Sequence, residues 1–144
     1  MPEQETIKRA HEDAREGKSP STQAGEFVRE EIHHIREGKH GAASTKQAIA
    51  IGLSKARRAG VELGTPKGPA ELKKKAAKDN SAGEHPHKVS RKRSRATSNA
   101  LKREPHSAAS RKSLSTQAKK AAAKRTPSAR SASAQKAART RKAA

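Results

Sequence analysis

The chain has 144 residues, 34 Lys and Arg against 14 Asp and Glu, a formal net charge of +20, 30% hydrophobic residues, one Phe and no Cys, Trp or Tyr. Without cysteine there is no disulfide, thiolate metal site or thiol nucleophile, and the length supports one domain at most. Low hydrophobicity with a large net charge is the composition of a chain that buries too little apolar surface to offset its ordering entropy.

The acidic start MPEQETIKRAHEDAREG lacks the apolar run of a signal peptide, and no stretch approaches membrane-spanning length. The expectation is a cytoplasmic protein without a membrane partner. Charge divides the chain: 11 Lys/Arg face 10 Asp/Glu up to residue 65, and 23 face 4 beyond it. Large apolar residues divide the same way, with Phe27, Ile32, Ile35, Ile49 and Leu53 before Pro66 and only Leu72, Val89, Leu101 and Leu114 after it. The expected fold is therefore a small all-α N-terminal module over 1–65, a helical hairpin of two to three helices, followed by a long disordered Lys/Arg/Ala/Ser-rich tail over 66–144.

In chain order, PEQETIKRAHEDAREG predicts a first helix with Pro2 in its first turn, Glu3 and Glu5 complementing the dipole, and Gly17 as the stop. Ser19 and Pro20 predict the start of a second, whose apolar stripe is Ala24, Val28, Ile32 and Ile35, widened by Phe27 and ended by Gly38. The third opens on STKQ, a capping box of Ser44 and Gln47, carries Ile49, Gly52, Leu53 and Ala56, and stops at Gly60. Five residues separate the second stop from the third cap, so these helices pair as a hairpin or a helix-turn-helix-like unit, with Gly52 permitting close approach. About 65 residues bury little surface, which leaves dimerisation through the module or ligand-assisted folding open.

REGKSPSTQA at 15–24 is echoed by REGKHGAASTKQA at 36–48, a reuse of helix-start signals rather than a duplicated unit. Later prolines at 86, 105 and 127 open loosely related basic units, read as degenerate tail repeats. QAKKAAAKR at 117–125 holds strong helix formers whose like charges repel, so it is expected to become helical when phosphate neutralises it.

On the third helix, the face opposite the apolar stripe carries Gln47, Ile51, Ser54, Lys55 and Arg58, flanked by Lys46 and Arg57, and residues 38–61 hold no acid. Lys46, Gln47, Lys55, Arg57 and Arg58 are thus candidates for contact with nucleic acid, unless the face pairs with Glu30, Glu31 and Glu37 of the preceding helix. In the tail, Arg91, Lys92, Arg93, Arg95, Lys102, Arg103, Arg111, Lys112, Lys119, Lys120, Lys124 and Arg125 are candidates for phosphate neutralisation, which needs no fixed geometry and is salt-sensitive. The absence of aromatics removes base stacking, so duplex DNA or structured RNA backbone is favoured over single strands.

Other chemistry is excluded on the residues. GKS at 17–19 lacks the upstream glycine and strand of a phosphate-binding loop. His11, His33, His34 and His40 read as solvated or interfacial, because neighbouring histidines diverge on a helix and no thiolate or matched carboxylate completes a metal shell. Glu30, Glu31 and Glu37 read as exposed helix residues without a pocket, so no enzyme and no cofactor is expected.

The segment GKHGAASTKQAIAIGLSKARRAG, residues 38–60, resembles a family of short basic bacterial proteins, some carried as DNA-binding proteins. The resemblance covers about residues 15–65 and implies a bacterial origin without transferring an activity or a site. The tail is similar in composition to the Lys/Ala-rich tails of linker histones and bacterial histone-like proteins. The expectation is a nucleoid-associated, histone-like DNA-binding protein; the alternatives are a disordered stress-protection protein and an RNA- or ribosome-associated factor.

Overall fold

The computed structural model describes residues 1–143. Its secondary structure there is helical, and the chain forms two compact units, Met1–Ser110 and Arg111–Ala144. The first unit contains α1 (Gln4–Arg15), α2 (Pro20–Arg36), α3 (Thr45–Arg58), α4 (Ala70–Glu84), α5 (Arg91–Lys102) and a 3-10 turn, Ser107–Ala109. The second contains α6 (Arg111–Ala123) and α7 (Pro127–Ala143).

The first three helices end where their signals lie, and α2 and α3 begin there too, whereas α1 starts at Gln4 with Glu3 as its N-cap, so Pro2 precedes the helix. Gly17 N donates to Ala14 O at 3.0 Å and Lys18 N to Asp13 O at 2.9 Å; Gly38 N donates to Ile35 O at 3.2 Å and Lys39 N to His34 O at 3.0 Å. Both are Schellman closures, so the shared REGK strings at 15–18 and 36–39 are one helix-stop device used twice. Half of the capping box forms as expected, Ser44 Oγ accepting from Gln47 N at 3.2 Å, while Gln47 Oε1 reaches one residue further back and accepts from Ala43 N at 2.6 Å. Ser19 differs, since its hydroxyl meets Ser21 and Thr22 side chains instead of a backbone N–H.

The core gathers Ala10, Ala24, Phe27, Ala56 and Val61, with Ile7, Leu53 and Leu63 packed against it. α2 is the central element, lying against α1 on one side and α3 on the other. At the α2–α3 crossing a Cβ on Gly52 would stand 2.7 Å from Val28 Cα, so only glycine permits this separation of backbones.

The disordered tail is overturned: residues beyond 66 are helical over α4 to α7. α4 packs on α3, burying Ala76 and Asp79. The end of α5 and the 3-10 turn dock on the α2–α3 connector, where Gly41 N donates to Leu101 O at 2.8 Å and Ala42 N to Pro105 O at 3.0 Å. Thr45 Oγ1 donates to Ala108 O at 2.6 Å and Arg36 Nε to Ala109 O at 2.9 Å, with both alanines buried.

Low apolar content bears on tertiary burial, whereas helical hydrogen bonds are local and Ala, Lys, Arg and Gln favour them. α5, α6 and α7 accordingly form while burying no residue. Their starts are written locally too: Thr126 Oγ1 accepts from Ala129 N at 3.2 Å with Pro127 in the first turn of α7. Gln117–Ala123, part of the segment expected to fold on neutralisation, lies within α6.

Candidate nucleic-acid interface

The basic face expected on α3 is largely committed to other elements of the first unit. Lys55 Nζ lies 2.6 Å from Glu31 Oε2 and 3.4 Å from Glu30 Oε1. Arg58 Nε donates to Asp79 Oδ1 at 2.8 Å, and Ser54 Oγ donates to Asp79 Oδ2 at 2.6 Å. Asp79 belongs to α4, so a segment read as tail covers the face read as open. Arg57 Nη2 donates to Gly64 O at 3.3 Å, and Gln47 closes the capping box. Ile51 is half-buried; Lys46, at the start of the helix, is exposed.

Glu30 and Glu31 are buried, at 5% and 1% exposure, and not the solvated residues their sequence context suggests. α3 crosses over them and Lys55 is the cation it brings. Glu30 Oε2 also accepts from Glu3 N at 3.1 Å, drawing the start of the chain onto α2. Beside it His34 Nε2 meets Glu3 Oε1 at 2.8 Å and His40 Nε2 meets Glu31 Oε1 at 3.2 Å. The His34 contact, and after it Lys39, hold the Glu3 carboxyl below the ordinary carboxylate range. Lys39 likewise lowers Glu37, which in turn raises Lys39.

The remaining candidates are placed differently. Arg91, Lys92, Arg93, Arg95, Lys102 and Arg103 on or next to α5 are all exposed, as are Arg111, Lys112, Lys119, Lys120, Lys124 and Arg125 on or next to α6. No acid occurs between His85 and Arg103, nor after Glu104. Among the described residues, no ion pair involves a cation beyond Arg58. On α5, Arg91, Arg95 and Lys102 stand at i, i+4 and i+11, one stripe about 16 Å long at 1.5 Å per residue.

Sequence reasoning passed over the cations of α7, Arg130, Lys136, Arg139, Arg141 and Lys142, which are exposed as well; the lack of any acid after Glu104 was the available signal. No helix among the described residues is long and apolar enough to cross a membrane. Comparison with protein-family models, curated proteins and solved structures returns no match.

Proposed function

We propose that the chain is a non-enzymatic DNA-binding protein that neutralises phosphate through the cations of α5, α6 and α7, largely without regard to base sequence, and that it works on the bacterial nucleoid. The observation that carries this reading is the separation of the cations into two sets. The ion-paired Lys and Arg side chains, Arg9, Lys18, Lys39, Lys55 and Arg58, all precede α4, whereas those of α5 to α7 are exposed and, among the described residues, form no ion pair. Unpaired exposed cations on helices cost no internal ion pair when they meet phosphate, and each engaged phosphate releases counterions.

α5 adds a local reason. Arg91, Lys92, Arg93 and Arg95 crowd the end of the helix where its dipole is already positive, an arrangement that an external anion relieves. The helix is exposed on every side from Arg91 to Ala100, and a bare helix about 10–12 Å across matches the width of the B-DNA major groove, about 12 Å.

The test is binding of the full chain to duplex DNA and to structured RNA across a salt series. If about eight phosphates are engaged, log K falls against log salt with a slope of roughly −7 on duplex DNA. Replacing Arg91, Lys92, Arg93 and Arg95 together by Gln reduces that slope by up to about 3.6, at 0.9 per phosphate. Absence of binding near physiological salt, or a slope untouched by this replacement and by Gln at Lys119, Lys120, Lys124 and Arg125, refutes the reading. Preference for structured RNA in competition moves the ligand from DNA to RNA.

A further inference from the structure

His40 follows the stop of α2, and its Nδ1 lies 3.1 Å from Gly41 O. A carbonyl only accepts, so the neutral ring that donates to it carries its hydrogen on Nδ1 and its lone pair on Nε2. That nitrogen is 3.2 Å from Glu31 Oε1. In that tautomer two acceptors face each other across a largely buried gap, an arrangement that calls for a cation or a proton between them.

His34 completes the group. It sits three residues beyond Glu31 on α2, hence on the same face, and donor atoms of Glu31, His34 and His40 all lie within 4.8 Å of one another. The carboxylates of Glu3, Glu30 and Glu31 converge here with two ammonium groups, Lys55 and Lys39, and Lys39 is shared with Glu37. Glu31 Oε2 touches Lys55 Nζ at 2.6 Å yet accepts no aligned hydrogen bond. Lys55 is thus a neighbouring charge shared between two carboxylates, while the Oε1 side of Glu31 faces the imidazole.

We propose that Glu31, His34 and His40 bind a divalent transition-metal ion of the zinc class, with Glu3, whose Oε1 lies 2.8 Å from His34 Nε2, as the carboxylate that closes the shell. Two imidazoles and a carboxylate are a donor set that zinc takes in proteins. Tetrahedral zinc with ligands at about 2.1 Å holds its donor atoms about 3.4 Å apart. Glu31 and His40 already stand at that spacing, and His34 joins them by a side-chain adjustment. The backbone carbonyl of Gly41 fixes the His40 tautomer from outside the shell, as such partners do for metal-bound histidines.

The site is built across α2, the following connector and the start of the chain, so occupancy would clamp all three. Sequence spacing concealed it because the adjacent His33 and His34 diverge, and the second imidazole comes from His40, beyond the helix stop. The inference is independent of phosphate binding.

Titration of the untagged full chain with Co2+ in place of zinc tests it by ligand-field absorption. The expected result is saturable binding of one ion, displaced by Zn2+, weakened at least tenfold in His34→Ala, His40→Ala and Glu31→Gln, and unchanged in His33→Ala and in the His85→Ala/His87→Ala double variant. Because Glu31→Gln disturbs a buried ion pair, the wild-type chain supplies a second readout: Co2+ broadens the imidazole resonances of His34 and His40 before those of His33, His85, His87 and His106. No saturable binding below millimolar Co2+, or broadening centred on the exposed histidines, overturns the site.

Discussion

Gly41 is the residue on which docking of the α5 end depends. A Cβ there would overlap the carbonyl of Glu104 and stand 2.8 Å from Pro105 O, and neither is a flexible side-chain end that could swing away. Gly41→Ala forces a choice between shifting two backbone segments, at about 1–3 kcal/mol, and releasing residues 101–110. Release forfeits four hydrogen bonds, from Gly41 N, Ala42 N, Thr45 Oγ1 and Arg36 Nε. At about 1 kcal/mol net each, they set a ceiling near 4 kcal/mol.

The expected loss is therefore about 1–3 kcal/mol, or about 4–12 °C in Tm at roughly 4 °C per kcal/mol. Thermal unfolding followed by circular dichroism measures it, and hydrogen exchange locates it. The amides of residues 41 and 42 should lose protection while those of α2 and α3 keep theirs. A variant within about 0.5 kcal/mol of wild type that still protects both amides would refute the docking, and with it the inclusion of residues 101–110 in the first unit.

Two other glycines on α2 and α3 should respond with opposite signs. A Cβ on Gly25 meets nothing within 4 Å, so Gly25→Ala is expected to stabilise by about 0.5–1 kcal/mol, whereas Gly52→Ala drives Val28 off and destabilises by about 1–3 kcal/mol; equal shifts in denaturant midpoint would count against the crossing described. Lys55→Met leaves two buried carboxylates without their ammonium and should cost about 3 kcal/mol or more, while the exposed Lys46→Met stays within about 0.5 kcal/mol; chemical denaturation of both compares them. Glu3 and Glu37 titrate below their ordinary value of 4.5. A carboxyl depressed in the folded state binds fewer protons there than in the unfolded one, so its stabilisation is complete above pH 4.5 and fades as pH falls through the lower folded values. The acid limb of a pH–stability profile should then flatten in Glu3→Gln/Glu37→Gln, and parallel limbs in wild type and variant would exclude the effect.

What the sequence made legible was local. The glycines at 17, 38 and 60, the Ser44–Gln47 box and the Ala24 to Ile35 stripe each act within a turn or two of themselves, and the first three helices follow from them. The fate of α3's polar face was legible only in part: pairing with Glu30 and Glu31 was one of its two readings, and Lys55 takes it, whereas Asp79 arriving from α4 was in neither. The tail failed for a different reason. Composition speaks to how much surface a chain can bury, and the helices from Arg91 onward form without burying any. Of the site candidates, Lys55 and Arg58 resolve into internal ion pairs, while the twelve from Arg91 to Arg125 all stand exposed.

That division has an energetic consequence. An α3 cation engaged with Glu31 or Asp79 would have to abandon a buried carboxylate to reach a phosphate, which costs as much as breaking a buried pair, so Lys55 and Arg58 gain nothing from an external anion. On α5 to α7 the balance is reversed. Arg91 and Arg95 repel at i, i+4, as do Lys120 and Lys124, by a few tenths of a kcal/mol per pair, and helices of 12 or 13 residues without packed faces are near the limit of independent stability. A polyanion removes the repulsion and contributes counterion release at the same contacts. Ligand binding and helix stability are thus coupled on these segments. Duplex DNA should raise the helical signal remaining at elevated temperature in the full chain, and Gln at Arg91, Lys92, Arg93 and Arg95 should raise it without DNA while diminishing the further gain on adding it. If DNA leaves that signal unchanged in wild type, the coupling is absent and phosphate is not what these helices are built to meet.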